Sequence, residues 1–162
     1  MIDYYMDLAV RTSELSRAEK LKVGAVIVTA DDCVLYGWNG TVAGFDNVCE
    51  KRVYQTEADA SAFTRDELRV MWPYEDENGR YYLKTFLEVL HAESNALMKL
   101  AKSTLSGRGA HLFQTHSPCV DCAKMIYQAG IVSVHYHNDY RSDVGSDFLR
   151  RCGVDVTKVM KG

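Results

Sequence analysis

Two short motifs constrain this chain more than any other feature: His91-Ala92-Glu93, and Pro118-Cys119-Val120-Asp121-Cys122. One imidazole and two thiols are donors suited to Zn²⁺, and a catalytic zinc takes three protein ligands and leaves a fourth position for water. His91, Cys119 and Cys122 are read as those ligands, so any fold must bring together two segments a helix and a strand apart in sequence. Cys119 and Cys122 stand at i and i+3, and in the first turn of a helix they project from one face. Pro118 suits a helix start, and the positive helix end favours the thiolates that a metal needs. Glu93, two residues after the histidine, is too near the metal for a casual surface charge. As a fourth ligand it would close the site to water, so it is read as a proton shuttle. Two competing readings stand beside this one. A redox Cys-x-x-Cys leaves His91-Ala92-Glu93 without a role, and a structural zinc needs a fourth ligand, for which His111, His116 and Cys49 are the candidates.

The rest of the chain is read around these motifs. Residues 2–15 carry apolar positions at helical spacing. The β-branched run Val23–Thr29 and Cys33–Tyr36, joined by a polar turn, predict a hairpin that leads into Gly37-Trp38-Asn39-Gly40-Thr41. Glu50 to about Val70 is rich in helix formers and charge, and Trp72–Gly79 is polar and turn-rich. Residues 50–88 are therefore taken as an insertion in a single domain spanning 1–162, with 72–79 mobile or covering a pocket. A helix follows over 91–102, a strand over 110–115, a second helix to Gln128 and a strand over 131–135. A short helix over 146–151 and a last strand over 154–159 complete the chain. Strands alternating with helices after a hairpin imply an α/β fold with a mixed sheet of five strands.

The motifs together resemble the zinc-dependent cytidine deaminase superfamily. Lys22–Ile27, Gly37–Thr41, His91–Ala96 and Ser117–Lys124 make the chain similar, within it, to phage-type deoxycytidylate deaminases. The resemblance implies a three-layer α/β/α cytidine-deaminase-like sandwich, with the two zinc helices side by side. It also implies hydrolysis of dCMP to dUMP and ammonia, feeding thymidylate synthesis, with catalytic Zn²⁺ and with Glu93 moving protons. A deaminase of another free cytosine nucleotide or nucleoside is the alternative. Asn39 and Tyr140 are the implied substrate contacts, although Asn39 as a turn former and Tyr140 as an exposed ring are the plainer readings. Many relatives of this kind are homohexamers activated by dCTP and inhibited by dTTP. That pattern implies effector contacts at Gly37, Trp38, Asn39, Gly40 and Lys102, and secondarily Lys99, with Mg²⁺ allowed beside the triphosphates. Lys102 is equally read as a solvated cation at a helix end. Val42 replaces the proline usual after the Asn-Gly block, and Asn47-Val48-Cys49 retains one of the two cysteines that hold a second zinc in some relatives.

Charge narrows the partners. A net charge of −3 gives no basic face for a nucleic-acid polymer, whereas a nucleotide needs only a few local donors. Five cysteines without disulfide-framework density fit a reducing compartment. No stretch approaches the ~20 apolar residues of a bilayer span, so the expectation is a soluble cytoplasmic protein, in host cytoplasm if phage-encoded.

Overall fold

A computed structural model describes residues 1–160. Helix α1 (Ile2–Ser13) turns Met6, Ala9 and Thr12 into the core. Strand β1 (Gly24–Val28) is buried along its whole length, as its unbroken apolar run dictates for a central strand, and it pairs antiparallel with β2 (Val34–Trp38).

After β2 the chain leaves this sheet. A two-residue strand, β3 (Gly40–Thr41), opens the excursion, and β4 (Glu50–Tyr54), α2 (Glu57–Ala62), α3 (Arg65–Met71), β5 (Tyr74–Asp76) and β6 (Gly79–Thr85) follow. β7 (Val89–Leu90) closes it by pairing with β3, Gly40 opposite Leu90 and Thr41 opposite Val89. Inside the excursion β4, β6 and β5 form an antiparallel sheet of their own. The helical reading from Glu50 onward is thus corrected at its start, where cross-strand packing overrides helix propensity. Tyr81 lies 5.5 Å from Tyr54 and 5.4 Å from Tyr74, and Arg52 pairs with Asp76 at 2.7 Å. Thr56 and Thr64 start α2 and α3 with capping boxes. The stretch 72–79, expected to be mobile or a cover, runs into the hairpin of β5 and β6, whose loop is Glu77-Asn78 with Gly79 at φ 115°.

The main sheet resumes after α4 (Ala92–Ala101). β8 (His111–His116), α5 (Val120–Gln128), β9 (Ser133–Asn138), α6 (Val144–Arg151) and β10 (Asp155–Lys158) complete a five-stranded sheet in the order β10-β9-β8-β1-β2. β8, β9 and β10 run parallel, and β1 is antiparallel to both of its neighbours, so the sheet is mixed as expected. Alternation along the strands divides the core in two. Ile27, Leu112 and Val134 meet Ala92, Ala96, Ala123 and Ile126 of α4 and α5, while Val26, Val28 and Phe113 meet Met6 and Ala9 of α1. The layering is α/β/α, with α4 and α5 together on one face. β2 approaches α4 so closely that a Cβ on Gly37 would lie 2.4 Å from the carbonyl oxygen of Ala92.

Candidate active site and metal centre

His91 is the N-cap of α4 and Cys119 the N-cap of α5, so the starts of two adjacent helices converge. Pro118 therefore stands one residue before the cap rather than inside the first turn. His91 Nδ1 lies 3.5 Å from Cys119 Sγ and 3.4 Å from Cys122 Sγ. Metal bonds of about 2.05 Å to nitrogen and 2.3 Å to sulfur, at a tetrahedral angle, separate those atoms by about 3.6 Å. The donors thus fit one zinc ion, and all three ligand atoms lie within 4.8 Å of one another. No other group of three or more His, Cys, Asp or Glu meets that criterion among the described residues. His111 instead shares a 2.6 Å hydrogen bond with Ser133, and Cys49 is buried in a different cavity. Neither joins the donor set.

The electrostatics favour a thiolate at Cys119 and keep the proton on Cys122. Cys119 is held far below the ordinary thiol range by hydrogen bonds from Cys122 and His91, and its Sγ also accepts the backbone N–H of Cys122 at 3.5 Å. Cys122 is pushed up by its hydrogen bond to Cys119 and by burial, and Ser94 Oγ lies 3.5 Å from its sulfur. Glu93 is only 4 % exposed. Burial raises its carboxyl to about 7, against the opposing pull of its own backbone N–H and of His91.

His91, Glu93 and Cys119 open onto a cavity of about 410 Å³. Tyr140 lines it, fixed through a backbone N–H that donates to Ser117 Oγ at 2.7 Å. Asn39 lines it too, but its amide is engaged with the chain: Oδ1 accepts the Val23 N–H at 2.8 Å, and Nδ2 donates to the Leu21 carbonyl at 2.7 Å. These bonds tie the turn to the Leu21–Val23 backbone 18 and 16 residues earlier, not to the turn's own backbone. One N–H and one acceptor position of the amide remain for a ligand.

The residues expected at an effector site separate. Trp38 and Gly40 line a second cavity of about 250 Å³, together with Arg17, Asn95 and Lys99. Lys99 Nζ donates to the Tyr36 carbonyl at 2.7 Å and stands 4.5 Å over the Trp38 ring. Gly37 is buried against α4, and Lys102, the exposed C-cap of that helix, lines neither cavity. Sequence reading did not single out Lys20, Glu50, Ser94, Ser117 or Arg141. Glu50 lies at the start of a strand read as helix, and Lys20 and Arg141 look like ordinary solvated cations until the loops that carry them are placed.

The family model described as the cytidine and deoxycytidylate deaminase zinc-binding region matches residues 1–138. The crystal structure of dCMP deaminase from the cyanophage S-TIM5, in complex with dCMP and dUMP, is 41% identical in sequence with a TM-score of 0.73. The match covers 97% of this chain and 95% of that one. Deoxycytidylate deaminase of Enterobacteria phage T4 is 29% identical over 173 residues, 96% of this chain and 88% of the phage protein. ComE operon protein 2 of Bacillus subtilis is 29% identical over 157 residues, 96% of this chain and 69% of that protein.

Proposed function

Because the chain belongs to the cytidine and deoxycytidylate deaminase family, we propose that it is a zinc-dependent dCMP deaminase, converting dCMP and water to dUMP and ammonia. The observation that carries the reading is a buried carboxyl beside three converging metal donors in a cavity of about 410 Å³, within the size range of small-molecule sites. His91, Cys119 and Cys122 would hold the ion, which when bound supplies Lewis acidity and lowers the pKa of water toward neutrality.

The remaining work falls to side chains. Glu93 takes a proton from the attacking water and delivers it to N3 of the cytosine, which makes C4 electrophilic. It then carries the second proton to the exocyclic amine, which leaves as ammonia. Burial raises the Glu93 carboxyl above the ordinary carboxylate range, which strengthens it as a proton acceptor. Tyr140 flanks the substrate, and Asn39 holds the Leu21–Val23 wall while offering its remaining donor. The chain acts as one deaminase domain with residues 50–88 inserted. Ammonia release measured across dCMP, CMP, deoxycytidine and dCTP tests the reading, with dCMP expected as the preferred substrate.

We further infer a homohexamer regulated by dCTP and dTTP, with Mg²⁺ accompanying the triphosphates. Support comes from the second cavity, which shares the Trp38-Asn39-Gly40 turn with the catalytic one. Arg17 and Lys99 are the cations lining that cavity, and Lys99, on the catalytic helix, takes the effector role in place of Lys102. Opposite shifts of the dCMP saturation curve on adding dCTP and dTTP are expected, and Lys99→Glu should blunt both. Curves unmoved by either triphosphate would remove the regulatory part alone.

A further inference from the structure

The two sulfur donors of the metal centre are supported in different ways. Cys119 Sγ accepts the backbone N–H of Cys122 at 3.5 Å, a bond that the first turn of α5 supplies whatever its other side chains are. The sulfur of Cys122 is met from the neighbouring helix, where Ser94 Oγ in the first turn of α4 lies 3.5 Å away. That contact depends on one side chain, and it joins the helix that carries Glu93 to the helix that carries Cys122.

Two further observations give the contact its weight. Cys122 is 2 % exposed and Ser94 9 %, so little water reaches either group. His91 Nδ1 approaches the same sulfur at 3.4 Å, and residues 91 and 94 stand three apart on one side of the α4 start. A free thiol and a hydroxyl could each donate in such a pair. A thiol must give up its proton to become a ligand, so with an ion in place the hydroxyl is the donor and the sulfur the acceptor. A hydrogen bond into a coordinating sulfur draws electron density away from the metal bond. Two thiolates cancel the formal charge of Zn²⁺, and withdrawing part of their donation preserves its Lewis acidity.

We propose that Ser94 is a positioning residue of the metal centre, whose hydroxyl donates to the Cys122 thiolate across the α4–α5 junction, holds that sulfur toward His91 and tempers its donation to the ion. The effect on turnover rests on the deaminase reading above. The bond itself is measurable without turnover.

Co²⁺ in place of zinc reports the bond, because the sulfur-to-cobalt charge-transfer band in the near ultraviolet follows the energy of the sulfur electrons. Ser94→Ala should move that band to longer wavelength and speed the transfer of zinc to a chelator about tenfold or more. Ser94→Thr keeps the hydroxyl and should return both toward wild type. With dCMP as substrate, Ser94→Ala should lower kcat about tenfold and leave KM within about twofold. An unmoved band in cobalt-loaded Ser94→Ala would overturn the proposal, as would a cobalt-loaded Ser94→Thr protein that matches Ser94→Ala. A lower unfolding midpoint with band and zinc release unchanged would likewise overturn it and leave Ser94 a packing residue. Wild-type protein without a thiolate band on adding Co²⁺ would overturn the metal centre itself. The expected band shift in a protein that fails to deaminate dCMP would uphold the Ser94 bond and remove only the substrate reading.

Discussion

Gly37→Ala is a one-carbon change at a residue that lines neither of the two cavities described above, yet it should impair catalysis. The added Cβ would lie 2.4 Å from the Ala92 carbonyl oxygen and 2.5 Å from the Ala96 nitrogen, and both are rigid helix backbone. Ordinary contact begins near 3.4 Å, so α4 must withdraw from β2 by about 1 Å. Overpacking of this kind costs about 1–3 kcal/mol. With a urea m-value of about 1–3 kcal/mol/M, the unfolding midpoint should fall by roughly 1 M. The larger effect is on activity. Ala92 lies between His91 and Glu93, so the displacement moves a metal donor and the proton shuttle together, away from Cys119 and Cys122 on α5. A misplacement of about 1 Å costs roughly 10²-fold in rate. Urea unfolding, zinc titration and dCMP turnover, measured on one preparation, give all three quantities. Gly40→Ala is the control: its Cβ would meet nothing nearer than Trp38 at 3.8 Å, and stability should stay within about 0.5 kcal/mol. A Gly37→Ala protein with wild-type midpoint and turnover would refute the claim that the β2–α4 contact sets the position of the catalytic helix.

Three further outcomes are expected. Glu93→Gln should keep zinc at wild-type stoichiometry while turnover falls by at least ~10²-fold, because the amide keeps the shape and cannot accept protons; near-normal deamination would exclude the shuttle. His91→Ala, Cys119→Ala and Cys122→Ala should each purify with less zinc, and full occupancy in any of them would remove that residue from the donor set. Burial pushes the His135 imidazole below its ordinary value, so the unfolded chain binds that proton first. Its contribution to stability is complete above the unfolded value of ~6.5 and is lost as pH falls through the lower folded one. Unfolding midpoints of wild type and His135→Gln between pH 7 and 5 should converge toward acid, and parallel profiles would contradict this account.

Much of this architecture was legible because chemistry and periodicity agreed. A metal needs donors of particular kinds, so His91, Cys119 and Cys122 stood out before any fold was known. The continuous run of β1 and the alternating strands and helices after His91 likewise pointed to a mixed sheet. The segment 50–88 was harder. The residues of β4 read as helix formers one by one, and only Tyr81 on β6, beside both Tyr54 and Tyr74, makes the extended form the better solution. Which of Lys99 and Lys102 lines a cavity was illegible for a related reason. Nothing local distinguishes a cation over Trp38 or at a cavity wall from a solvated one such as Lys102.

The pairing of β3 with β7 puts the two ends of the excursion directly opposite each other, with Gly40 against Leu90 and Thr41 against Val89. The loop can therefore be lengthened, shortened or exchanged without altering the register of any strand in the main sheet. Glu50 of β4 and Thr85 of β6 nevertheless form part of the catalytic cavity wall, while His91, Glu93, Cys119 and Cys122 all lie outside the loop. One wall of the cavity is thus encoded apart from the bond chemistry, while Asn39 and Tyr140 complete the cavity from outside the loop. Exchanging that contiguous cassette with a relative's should alter one wall of the cavity while the deamination machinery stays in place.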